Sequence, residues 1–251
     1  MTYIRRTRRA GRVVEITNYF SGRYGHHEKN GPKILPTGEA AQRAYQRKQE
    51  RELRGLMNAN FADRVDALLT LEWRWGEAPQ TSGEMKKAVQ KFVRDIRPLY
   101  KARGQPLKYI YTMEVGPRGG RHIHMMLSGT KAEEIARAWP GIIHVNPLWS
   151  DGQYADIAAY FLKYSLTTEE TEGRKLGRRW NASHNLEKPK DKIEIVGAKT
   201  FRQKIREKKG FYIDKAHMRS GVSEETGRPY LEYTYIRLGD RYGPDTDLPV
   251  E

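Results

Sequence analysis

The chain of 251 residues carries 46 Lys plus Arg against 31 Asp plus Glu, a formal charge of +15. Such an excess favours a polyanionic partner, above all nucleic acid. There is no cysteine, which excludes a disulfide scaffold, a thiolate zinc finger and a cysteine nucleophile. No apolar run approaches the ~18 residues of a membrane span, and the first residues lack the apolar core of a signal peptide. The expected setting is therefore the cytoplasm, with no membrane partner.

Residues 1–35 are basic and polar. Arg5, Arg6, Arg8, Arg9 and Arg12 predict a flexible arm that contacts phosphates and adds affinity without sequence choice. Residues 37–59 predict a charged helix, with Thr37 as its cap after Pro36. Residues 65–75 are rich in Leu and Trp and predict a central strand. Residues 82–103 predict a helix whose apolar face holds Val89, Phe92, Val93 and Ile96, with Pro98 expected to break or kink it. Residues 107–115 are β-branched and aromatic, hence strand-like. Gly116, Gly119 and Gly120 supply turn chemistry, and a second strand follows.

A short helix is expected at 131–139, a strand at 142–145, and a helix from 151 or 153 to about 166. The order β-α-β-β-α-β-α predicts an α+β fold. Its core would be ferredoxin-like (RRM-like), a central antiparallel sheet with helices packed on it. Residues 171–191 predict a polar, basic loop. Beyond it, strands at 192–196, 210–214 and 230–238 surround a basic helix at 199–208. The expected organisation is a basic N-terminal arm and helix at 1–60, a core at 61–170 and a basic C-terminal extension with further strands at 171–251. There is no phosphate-cradling Gly-x-x-x-x-Gly-Lys-Ser/Thr loop, so no attached P-loop ATPase is expected.

The chemistry concentrates in two segments. His122 and His124 flank Ile123 and precede Met125, Met126 and Leu127. Alternate residues of a strand share a face, so both imidazoles point one way while Ile123, Met125 and Leu127 point into a core. A simple hairpin centred on 116–120 sets Glu114 opposite His122, on the same face. Two imidazoles and one carboxylate suit Mn²⁺ or Mg²⁺, and also Zn²⁺ or Fe²⁺. In the second segment, residues three and four apart on a helix share a face, so Tyr160, Lys163 and Tyr164 form one polar patch. Ile157, Ala158 and Phe161 are left to pack on the sheet. A phenol, with its pKa near ~10, is a poor nucleophile until a cation stabilises the phenolate.

Taken together, these motifs resemble the HUH endonucleases, and within them the rolling-circle replication initiators (Rep proteins) of small phages and bacterial plasmids. The His-apolar-His run matches at His122-Ile123-His124, and Tyr-x-x-Lys matches at Tyr160 and Lys163. An apolar strand with Thr matches at Leu68 to Leu71, around Thr70. The stretches 53–61 and 178–183 also look like such Reps, so the resemblance covers about residues 50–190. Where many Reps have a second Thr in the first motif this chain has Glu72, and that motif is assigned to strand packing. The His pair precedes the Tyr, as in Reps and unlike conjugative relaxases.

The resemblance implies a site-specific nickase and strand transferase acting on single-stranded origin DNA. Mn²⁺ or Mg²⁺ would be held by Glu114, His122 and His124. Tyr160 would be the nucleophile, Lys163 its cation, and Tyr164 a support or second nucleophile. Attack would leave a 5′-phosphotyrosine and a free 3′-OH, without ATP, with host helicase and DNA polymerase as partners. Arg118, Arg121, Arg178 and Arg179 join the N-terminal arginines as expected phosphate contacts. The alternatives are a single-strand transposase of the same chemistry and a nonenzymatic nucleic-acid-binding module.

Overall fold

The computed structural model describes residues 2–22, 38–116, 118–129, 131–173, 179–202, 204–224 and 226–239. In chain order the elements are β1 (Thr2–Ala10), β2 (Val13–Ser21), α1 (Glu39–Asn60), β3 (Ala67–Glu72), α2 (Ser82–Ala102), β4 (Tyr109–Val115), β5 (Arg121–Leu127), α3 (Ala132–Ala138), β6 (Ile142–Pro147), α4 (Ala155–Glu172), β7 (Asn181–Ala182), β8 (Asp191–Ile195), a 3-10 turn (Ala198–Arg202), β9 (Phe211–Ile213), β10 (Arg219–Val222) and β11 (Pro229–Arg237). They form two compact units, one of residues 1–55 with 189–251, the other of residues 56–188. The expected core at 61–170 falls within the second unit. Among the described residues no helix is long and apolar enough to cross a membrane.

In the first unit the strands run in the order β10-β11-β2-β1-β8, with β9 also paired to β11. The expected flexible arm is here corrected: β1 lies between β2 and β8, antiparallel to both. A two-residue turn joins β1 to β2, with Gly11 at φ +57°, a conformation that favours glycine. The arginines of β1 face partners across the sheet. Arg8 grips Asp191 of β8 through Nε and Nη2 at 2.6 and 3.1 Å, and Arg5 donates to Asn18 of β2 at 3.1 Å. The long stems of Arg6 and Arg8 are largely buried, so they act as apolar packing with charged tips. Apolar burial comes from Ile4, Val13, Val14, Ile16, Tyr235 and Ile236. The basic helix expected at 199–208 is only a short 3-10 turn, and β10 is additional to the expected strands.

The second unit is the ferredoxin-like one. Its sheet runs β6-β3-β5-β4-β7, with each neighbouring pair antiparallel. Alternation decides the two faces. Leu69, Leu71, Ile123, Met125, Leu127, Tyr111 and Val115 turn to one side and bury themselves against α2, through Met85, Val89, Phe92, Val93 and Ile96, and against Ile135 and Trp139. Helix α2 starts at a capping box, in which Thr81 Oγ1 accepts from Glu84 N–H and the Glu84 carboxylate accepts from Thr81 N–H, satisfying two otherwise orphaned donors. It runs through Pro98 without stopping. That residue sits on the exposed face, where water can take the freed carbonyl. Helix α4 lies on the other sheet face, over β4, and extends six residues past its expected end at 166.

Candidate active site

Two cross-strand rows define the face under α4. In one, Ile142, Glu72, His122 and Glu114 are consecutive partners across β6, β3, β5 and β4; in the next, His144, Thr70, His124 and Thr112. The hairpin register sets Glu114 opposite His122 as expected, and Ile123, Met125 and Leu127 are fully buried on the other side. The imidazole rings stack at 16° with centroids 6.3 Å apart. The face opens toward the β6 edge: side-chain exposure is 59% at His144, 32% at His122 and 4% at His124.

Each imidazole has its own carboxylate. His124 Nε2 lies 2.9 Å from Glu114 Oε2, and His122 Nδ1 lies 3.2 Å from Glu72 Oε1. His144 Nε2, from β6, stands 3.7 Å from that same Glu72 oxygen. An ionised carboxylate only accepts hydrogen bonds, so His124 donates through Nε2. In the neutral ring Nδ1 is then the acceptor, and it faces the hydroxyls of Thr70 and Tyr160, each at 3.4 Å. Glu72 is itself fixed by its backbone. Its carbonyl accepts from Trp139 Nε1–H at 2.9 Å and packs on Gly141, where an added Cβ would stand only 1.9 Å from that oxygen.

The tyrosines are placed by α4. At the helix start Tyr154 N–H donates to Asn58 Oδ1 and Tyr154 OH to Asp63 Oδ1. Near the end Thr168 Oγ1 accepts from Val115 N–H of β4 at 2.9 Å. Between these anchors Ala158 and Phe161 are buried, as the helical spacing predicts. Tyr160 meets His124 edge-on at 5.0 Å, Tyr164 stacks on the same ring at 4.5 Å, and the two tyrosines touch at 4.3 Å between centroids. Burial pushes the Tyr160 phenol well above its ordinary pKa, helped by the Tyr164 hydroxyl and by Glu114. Lys163 is exposed, and its carbonyl accepts from Thr167 Oγ1 at 3.2 Å.

The donor set fits a divalent cation in kind: imidazoles and carboxylates share one sheet face. Two ligands bound at ~2.1 Å in neighbouring octahedral positions lie ~3 Å apart, and the Glu114–His124 pair has that spacing. As the side chains stand, no three His, Asp or Glu residues among those described converge on one ion.

The expected phosphate contacts have mixed surroundings. Arg118 is exposed in the β4–β5 turn. Arg121 donates to Gln80 O at 2.7 Å and faces Glu172 at 3.7 Å. Arg179 pairs with Glu169 at 3.3 Å, and Arg12 donates to Arg237 O. Arg9 is exposed on β1. Arg178 and Thr37 lie outside the described residues. Two members of the site are not evident from the sequence, Glu72 as a partner of His122, and His144. The alternation of Thr70 with Glu72, and of Ile142 with His144, is the signal that could place them on this face. A cleft of about 560 Å³ lined by Trp73, Phe92, Leu99 and Trp139 opens on the helical side, away from this chemistry.

Residues 66–169 match the family model of the replication-associated protein ORF2. The matched span contains every residue of both rows and both tyrosines of α4, and it supports a role in replication initiation. No curated protein and no solved structure gives a significant match.

Proposed function

We propose that the chain is a metal-dependent, site-specific single-strand DNA nickase and strand transferase of the HUH type, which initiates rolling-circle replication through a 5′-phosphotyrosine. The observation that carries the proposal is the Tyr160 hydroxyl 3.4 Å from Nδ1 of His124, whose Nε2 is held by Glu114 at 2.9 Å. Support comes also from the family match over the same residues and from the +15 charge. Tyr160 oxygen attacks phosphorus in line, the P–O3′ bond breaks, and the departing oxygen becomes a free 3′-OH that primes a host polymerase. Because burial keeps the phenol protonated near neutral pH, its attack needs positive charge close by. Glu114, His122 and His124 would hold Mn²⁺ or Mg²⁺, which supplies that charge and polarises the scissile phosphate. Tyr164 packs on His124 and Tyr160 and keeps both rings in place. Lys163, exposed one turn along α4, is assigned to the incoming phosphate. The phosphotyrosyl bond conserves the phosphodiester energy, so a later 3′-OH can reseal the strand without ATP.

The test is a 3′-labelled, sequence-randomised single-stranded DNA library incubated with the protein and Mn²⁺. A labelled adduct that survives denaturing electrophoresis, and that yields one enriched cleavage sequence, is expected. DNA binding without any adduct would leave a nonenzymatic nucleic-acid module, and an adduct formed only with paired hairpin ends would mark a transposase.

A further inference from the structure

We infer that Glu72 is a positioning residue: its carboxylate takes the Nδ1 hydrogen of His122 and so presents Nε2 of that ring to the divalent cation. The inference rests on the metal reading proposed above. The β3–β5 register sets residues 72 and 122 opposite each other, and the two atoms lie 3.2 Å apart. Since the carboxylate cannot donate, the hydrogen sits on Nδ1 and the lone pair on Nε2. A metal-bound imidazole commonly gives its second N–H to a carboxylate in this way, which fixes both tautomer and ring orientation.

The surroundings serve that arrangement. On the Nε2 side of His122 stands Gly120, where a Cβ would come within 3.2 Å of the nitrogen; the missing side chain keeps that edge clear. Glu72 cannot drift, because Trp139 holds its carbonyl and Gly141 packs against it. His144, on the open edge strand, lies near the same oxygen and limits its rotation. His124 is oriented the other way, with Nε2 rather than Nδ1 toward its carboxylate, so of the two rings of β5 it is His122 whose Nε2 the carboxylate pairing leaves available.

The experiment uses the full chain and two readouts that do not depend on nicking. Long-range ¹H–¹⁵N correlation of labelled, metal-free protein, with His122 assigned by difference from His122→Gln, should show the Nδ1–H tautomer. Glu72→Gln keeps an accepting oxygen and should preserve that signature, whereas Glu72→Leu should lose it. Mn²⁺ titration followed by the paramagnetic resonance of the free ion should show Glu72→Leu weakened about 10- to 100-fold and Glu72→Gln close to the parent. An Nε2–H tautomer in the parent, or unchanged Mn²⁺ affinity in Glu72→Leu, overturns the inference. Equal loss in the Gln and Leu variants also overturns it, because charge rather than orientation would then be the contribution. If His122→Ala and His124→Ala bind Mn²⁺ like the parent, the metal reading itself fails. If they lose Mn²⁺ while Glu72→Leu does not, only the role of Glu72 fails.

Discussion

Glu114 Oε2 and His124 Nε2 lie 2.9 Å apart across neighbouring strands, one step off the direct pairing of Glu114 with His122. This diagonal contact joins the carboxylate to the imidazole that meets Tyr160, so one hydrogen-bonded chain runs from β4 through β5 to α4. Removing any link should therefore stop the chemistry before it harms the fold. His122→Ala and His124→Ala are expected to abolish the covalent adduct while DNA binding, measured by fluorescence anisotropy, stays within a few-fold of the parent. Glu114→Ala should behave alike, with partial recovery at high Mn²⁺. Full cleavage by the double His122→Ala, His124→Ala variant would refute the site.

The two tyrosines can be separated. Tyr160→Phe loses one hydroxyl and keeps the ring contacts with His124 and Tyr164, so the adduct should vanish with binding retained. Tyr164→Phe keeps the stacking on His124 and should still form the first adduct. Peptide mapping checks the assignment: DNA linked to Tyr164 after the first cleavage would reverse it.

Alkaline pH should unfold the protein in a defined window. Burial pushes the phenols of Tyr111 and Tyr235 up to about 12, against ~10 in an unfolded chain. A folded pKa raised this way adds stability that is complete below ~10. It is lost as pH rises through the folded value, because the unfolded chain then releases protons the folded one retains. Urea midpoints should fall steadily from about pH 10 to about 12, with tyrosinate absorbance appearing alongside loss of circular dichroism. A flat midpoint over that range would contradict the burial of these phenols.

Deletion of residues 2–10 tests the status of the basic N-terminus. A flexible arm could be removed with only a shallower salt dependence of DNA binding. A strand paired on both sides by β2 and β8 cannot. The deletion is expected to unfold the first unit, seen as loss of its amide-exchange protection, while the second unit keeps its own.

Gly141→Ala probes the support of Glu72. The new Cβ would start 1.9 Å from the Glu72 carbonyl, so the backbone must shift and the Trp139 hydrogen bond loosen. Overpacking of this kind costs roughly 1–3 kcal/mol, readable in urea denaturation, and Mn²⁺ affinity should fall with it. An unchanged urea midpoint would show that the strand end is not tightly held.

What the sequence determined by itself was local in origin. Two-residue periodicity put His122 and His124 on one face and Ile123, Met125 and Leu127 on the other. The glycines of the 116–120 turn set the register that brings Glu114 to His122, and helical spacing joined Tyr160 to Tyr164. Each of these follows from dihedral periodicity over a few residues, so no distant partner had to be known. The β-α-β-β-α-β order was legible for the same reason. Only the tertiary structure decided the rest. Glu72 reads as a polar strand end until strand order puts β3 beside β5, and His144 joins it only because β6 pairs on the far side of β3. The Tyr160–His124 contact needs α4 laid across the sheet. Arg8 reads as part of a solvated arm because its charge is local while its partner, Asp191, is 183 residues away. A side chain's neighbours along the chain fix which way it faces; what it meets there depends on strand pairing and helix packing between segments far apart in sequence.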